Sequence, residues 1–136
     1  MADFRHVTDD FSTAPQISLA DVAEAKTQGF TTIVCNRPDG EDPGQPSAAE
    51  VAAAAQAAGL SFVHIPFVGP PGPAQVEAMR QAVEASPGPV LAYCRSGTRS
   101  ITCWSIGQAM SGAMDRAELV ALGRGAGYEL SAALGG

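Results

Sequence analysis

At 136 residues the chain can bury a hydrophobic core without metals or disulfides, so one domain spanning residues 1–136 is expected. Hydrophobic residues make up 46% and charged ones 16%, yet no apolar run approaches the roughly 18 residues of a membrane span, so a soluble protein with no membrane partner is expected. A net charge of −6 with only 8 Lys and Arg leaves no basic footprint for a nucleic acid backbone, and the opening Met1–His6 lacks the basic start and apolar middle of a secretory signal, which makes cytoplasmic residence the expectation.

The 3 cysteines, an odd number without metal-type spacing, fit a reducing compartment, and neither a metal nor a cofactor is expected. Apolar runs of strand length alternate with alanine-rich stretches of helix length, the pattern of an α/β fold with a mostly parallel central sheet flanked by helices. Ser18, with Asp21 three residues on, opens a first helix that ends at Gly29, and Leu19, Val22 and Ala23 are its expected inward face. Residues 31–35 read as a strand, followed by the loop Asn36-Arg37-Pro38-Asp39-Gly40 and a proline-rich continuation to Pro46. Ser47 and Glu50 form a capping box for a helix over 48–58. A strand over 61–67, stopping near Pro66, precedes the rigid turn 68–73, and Pro73 suits the first position of a helix carrying Val76, Met79 and Val83. Val90-Leu91-Ala92-Tyr93 is a short apolar run suited to a strand covered on both faces. Beyond Ser100 the pattern turns helical, with Cys103, Ile106 or Gly107, and Met110 on one face, and further small-residue helix follows through Leu119, Leu122 and Leu130.

Between that last strand and the helix lies Cys94-Arg95-Ser96-Gly97-Thr98-Arg99-Ser100. A thiol acts as a nucleophile only as the thiolate, which is favoured at a helix N-terminus beside cations. Backbone N–H groups at a strand-to-helix junction can curl around an anion, and Gly97 permits the turn. Arg95 and Arg99 add charge that forks onto oxyanions, and Ser96, Thr98 and Ser100 add hydroxyls. Cys94 and Arg99 are therefore the candidate catalytic residues, with Arg95, Ser96, Gly97, Thr98 and Ser100 as candidate anion contacts. Arg37, just past the end of a strand, is either a further anion contact or a surface arginine pairing with Asp39 or Glu41.

The stretch Tyr93 to Ser100 resembles the active loop of rhodanese sulfurtransferases and, less closely, that of cysteine-dependent phosphatases. From about Phe11 to Gln108 the chain more closely resembles the phosphatase-like domain of beta-lactamase-hydrolase-like proteins, through Asn36-Arg37-Pro38-Asp39-Gly40-Glu41, Val63-His64-Ile65-Pro66 and Gly88-Pro89-Val90. That resemblance implies a dual-specificity-phosphatase-like fold. Members of the family fused to persulfide dioxygenase domains are regarded as sulfurtransferases, which implies a persulfide dioxygenase partner.

Two departures from the phosphatase pattern bear on the reaction. The phosphatase loop has five residues between cysteine and arginine, whereas Cys94 and Arg99 are separated by 4 and Ser100 stands where the arginine would fall. Phosphatases also use an Asp on a nearby loop to protonate the leaving oxygen, and residues 67–73 contain no acid. Sulfane-sulfur transfer needs little leaving-group protonation. The expected activity is accordingly a sulfurtransferase that moves sulfur from a small-molecule donor, thiosulfate or a persulfide, to a small thiol acceptor through a Cys94 persulfide. The alternatives are a phosphatase with a phosphocysteine intermediate and a non-catalytic anion- or persulfide-binding module.

Other residues carry paired readings. Cys35 is a resolving thiol or core, and Asp39, Glu41 and Asp42 are catalytic acids or solvated surface. Cys103 reads as packing, and His64 as a hydrogen-bonded structural histidine rather than a base. Tyr93 occupies the position where phosphatases usually have histidine.

Overall fold

The computed structural model describes residues 2–135. Its five-stranded sheet runs in the order β1-β2-β5-β3-β4, built from β1 (Arg5–Thr8), β2 (Phe11–Ala14), β3 (Thr32–Cys35), β4 (Ser61–His64) and β5 (Val90–Tyr93). β2, β5, β3 and β4 are mutually parallel, and only the edge strand β1 pairs antiparallel, with β2. The helices are α1 (Leu19–Thr27), α2 (Ala48–Ala57), α3 (Pro73–Ala85), α4 (Thr98–Met110) and α5 (Arg116–Gly125). The α/β class with a mostly parallel sheet follows the sequence pattern, as do the N-cap at Ser18, the capping box at Ser47 and the Pro73 start.

Strand alternation divides the core between the two sheet faces. Val34, Val90 and Ala92 face one apolar cluster with Met79, Ile101, Trp104 and Leu119, while Ile33, Cys35, Leu91 and Tyr93 face the other with Val22, Ala25, Val51 and Ala55. Thus α1 and α2 cover one face and α3, α4 and α5 the other, which buries the whole of β5. The C-terminal ends of β3 and β5 open side by side on one edge of the sheet, the edge at which ligands of open α/β sheets bind.

Three expectations are corrected, and two unexpected strands are added. The strands β1 and β2 had no sequence signal: four residues each is short, and in β2 Ser12 and Thr13 are buried although polar. The strand through His64 ends there rather than near Pro66, so the chain leaves the sheet earlier. On α1, Val22 and Ala25 are buried, whereas Leu19 and Ala23 are exposed, because at about 3.6 residues per turn the face through Val22 and Ala25 leaves Leu19, and Ala23 still further, rotated away from the sheet. On α4, Cys103 and Gly107 are buried, but Met110, the last residue of the helix, is 74% exposed.

Candidate active site

β5 delivers the chain to Cys94 at the centre of the sheet edge, and α4 begins at Thr98 with Gly97 as its N-cap. The helix therefore starts earlier than the sequence pattern indicates, placing Arg99 and Ser100 in its first turn. Gly97 sits at φ 95°, in the left-handed region, where an L side chain is strained. A Cβ there would also collide with the Tyr128 hydroxyl.

Three successive loop carbonyls are held away from the site. The Arg95 carbonyl accepts from the Gln16 N–H at 3.2 Å. The Ser96 carbonyl accepts from the Tyr128 hydroxyl at 2.8 Å, and the Gly97 carbonyl from the Thr13 hydroxyl at 3.0 Å. In a planar trans peptide the next N–H points opposite to the carbonyl, so outward carbonyls turn N–H groups inward. The Gly97 N–H accordingly donates to Cys94 Sγ at 3.1 Å. Thr13, Gln16 and Tyr128 were not legible as site residues, since each acts on backbone and nothing in one sequence links them to the loop.

Cys94 has 0% of its surface exposed. Above it, Arg99 lies close enough for the Cys94 sulfur to favour its charge, although Glu41 is the larger influence on Arg99. Arg99 Nη1 and Nη2 donate to Glu41 Oε2 at 3.0 Å and Oε1 at 2.8 Å, and Nη1 also reaches the Phe67 carbonyl at 3.1 Å. Of the other candidate anion contacts, Arg95, Ser96 and Thr98 are exposed, and the Ser96 hydroxyl donates to the Thr98 hydroxyl at 3.0 Å. Ser100 is fully buried, and its hydroxyl has no hydrogen-bond partner among the described residues.

Arg37 is not a surface arginine. It is 2% exposed and donates to Glu41 Oε1 at 2.8 Å, to Asp42 Oδ2 at 2.8 Å and to Gln16 Oε1 at 3.0 Å, with no bond to Asp39. Its backbone carbonyl collects the Cys35 thiol at 3.4 Å and His64 Nε2 at 3.1 Å. A carbonyl only accepts, so His64 carries its proton on Nε2 and serves as a structural donor. Burial raises the Cys35 thiol above its ordinary value, and desolvation does the same to the Tyr93 phenol, so both stay protonated at neutral pH.

The acids of the 39–42 loop are all engaged. Asp39 caps α2 by accepting the Ala48 N–H at 2.8 Å, and Asp42 pairs with Arg37. Arg99, with Arg37 second, holds the Glu41 carboxyl down at about 2, despite the opposing effect of burial. A carboxyl so far below neutrality carries no proton to give to a leaving group. Among the described residues no cluster of three or more His, Cys, Asp or Glu forms a metal site, and no helix is long and apolar enough to cross a membrane.

Residues 3–111 match the family described as beta-lactamase hydrolase-like protein, phosphatase-like domain. The chain belongs to that family. It is 37% identical over 128 residues to a beta-lactamase hydrolase-like protein of Agrobacterium fabrum, covering 93% of this chain and 30% of that protein, so it spans under a third of this curated relative. A crystal structure from Neisseria meningitidis, provisionally assigned as a phosphatase, is 32% identical with a TM-score of 0.86, covering 97% of this chain and 94% of that one. A cysteine-to-serine variant of TpbA from P. aeruginosa in complex with phosphotyrosine shares the fold at 18% identity and a TM-score of 0.67, covering 96% of this chain and 78% of that one. The fold is thus that of the cysteine phosphatases, and Cys94 lies between the end of β5 and the start of α4.

Proposed function

We propose that the chain is a cysteine-dependent phosphatase acting on small phosphomonoesters with good leaving groups. The observation that carries this reading is the Gly97 N–H directed at Cys94 Sγ at 3.1 Å, at the start of α4, with Arg99 close enough for the sulfur to favour its charge. A sulfur so placed attacks phosphorus while loop N–H groups, helix dipole and guanidinium stabilise the oxygens. The S–P bond forms as the ester P–O bond breaks and the leaving oxygen departs with the electron pair. Water then attacks the phosphocysteine, giving inorganic phosphate and regenerating the thiolate.

The leaving group follows from the acids. With Asp39, Glu41 and Asp42 all engaged and no acid in residues 67–73, an alkoxide would depart unprotonated. Aryl phosphates, whose phenolate leaves without help, are the substrates this site suits. The phosphotyrosine held by TpbA is of that class.

A second reading rests on the 4 residues between Cys94 and Arg99, the rhodanese-like spacing, together with the same lack of an available acid. In it the Cys94 thiolate attacks the outer sulfur of thiosulfate, releasing sulfite, and the resulting persulfide passes sulfur to a small thiol. A persulfide dioxygenase domain is the partner that this reading implies. A paired assay separates the two, with para-nitrophenyl phosphate against thiosulfate plus glutathione. Under the phosphatase reading, phosphate release is lost in Cys94→Ser and Arg99→Ala and thiosulfate is inert. Sulfite release without phosphate release replaces that reading with the second, and tight anion binding without turnover of either removes both.

A further inference from the structure

Arg99 arrives at the site with its hands full. Both terminal nitrogens are engaged with the two oxygens of Glu41, a fork-on-fork contact of the kind an oxyanion substrate would make. Glu41 in turn is fastened from behind by Arg37, whose side chain is 3% exposed and itself fixed by Asp42 and Gln16. The carboxylate therefore stands between two guanidiniums, one buried and one facing the nucleophile.

We propose that Glu41 is a resident competitor for the anion site, a built-in carboxylate that an incoming oxyanion must displace from Arg99, so that the site selects dianions over monoanions. This inference rests on the reading of the Cys94 loop as an anion cradle, whichever reaction follows. Displacement leaves no charge unpaired, because Glu41 Oε1 keeps its 2.8 Å contact with Arg37 when Arg99 turns away. It is a hand-over between two partners, which avoids the large cost of orphaning a buried charge. A monoanion offers Arg99 no more charge than Glu41 already does. A dianion, such as a phosphomonoester or thiosulfate, adds a second charge that both Arg99 and the inward loop N–H groups can meet. Glu41 thus acts as a charge filter, and its strongly held negative charge keeps the filter in place across neutral pH.

The test is protection of Cys94 from iodoacetamide by added anions, which reads binding without requiring turnover. In wild type, inorganic phosphate and thiosulfate should protect, and formate should protect far less. Glu41→Gln removes the charge and keeps the shape. It should tighten phosphate and thiosulfate at least about tenfold, roughly 1.4 kcal/mol, and narrow the margin over formate. Glu77→Gln, an equal change of net charge at the exposed pair with Arg80 on α3, should leave protection as in wild type. Unchanged or weaker anion protection in Glu41→Gln overturns the proposal, as does an equal gain in Glu77→Gln. If Glu41→Gln fails to fold, Glu41→Asp serves: its shorter reach should loosen the contact with Arg99 and tighten anions to a smaller degree, and no gain there overturns the proposal too. Loss of turnover with anion protection intact would reject the proposed reaction and leave the filter standing.

Discussion

The Tyr128 hydroxyl donates to the Ser96 carbonyl at 2.8 Å, so a residue beyond the family-matched stretch 3–111 holds the Cys94 loop in shape. Tyr128→Phe removes that bond alone and leaves the ring. It should cost about 1 kcal/mol in urea unfolding and up to about tenfold in kcat/KM, because the Ser96 peptide is freed to turn its carbonyl toward the site. Wild-type stability and turnover in the variant would show that Gln16 and Thr13 suffice.

Gly97→Ala should be far more damaging. The φ of 95° costs an L residue about 1–2 kcal/mol, and the new methyl group meets the Tyr128 hydroxyl. We expect loss of activity and a lowered urea midpoint, with part of the stability restored in the Gly97→Ala, Tyr128→Ala double variant. Strict additivity of the two changes would mean that the collision contributes nothing.

The three cysteines should differ in chemistry. Cys103 donates to the Gln75 carbonyl at 3.4 Å and burial pushes its thiol up to about 12, while burial also raises Cys35. Iodoacetamide at neutral pH should label Cys94 first, and Cys94→Ser should remove that label, as read by peptide mass spectrometry. Labelling of Cys35 or Cys103 at the same rate would count against Cys94 as the nucleophile.

Glu41 should leave a signature in acid. Its folded value of about 2 lies below the ordinary 4.5, so its ion pairs contribute fully above roughly pH 4.5 and fade as the pH falls toward 2. Urea midpoints measured at pH 5, 4 and 3 should fall more steeply for wild type than for Glu41→Gln. Parallel profiles would show that Arg99 and Arg37 stabilise the loop without depending on that carboxylate.

What could be read from the sequence was whatever is local along it. Ser18 and Ser47 announce their helices because each cap lies within three residues of its partner, and Val90 to Cys94 to Gly97 announces a strand, a candidate nucleophile and a turn in order. β2 was illegible because Ser12 and Thr13 are buried by pairing with β5 and not by hydropathy. The paired readings of Arg37 could not be resolved either, since its burial depends on Gln16 as well as on Glu41 and Asp42. The contact between Glu41 and Arg99 spans 58 residues, and no periodicity or spacing rule reaches that far.

The three outward-turned carbonyls carry a consequence for transplantation. The loop supplies the acceptors, but the donors lie elsewhere: Thr13 is 84 residues from Gly97, and Tyr128 is 32 residues from Ser96. Grafting Cys94 to Ser100 onto another strand-to-helix junction would carry over the sulfur and the guanidinium without the scaffold that aims the peptide groups. A graft recipient should gain anion affinity only when hydroxyl donors are placed where Thr13 and Tyr128 stand, which makes the motif portable as a pattern of letters and not as a device.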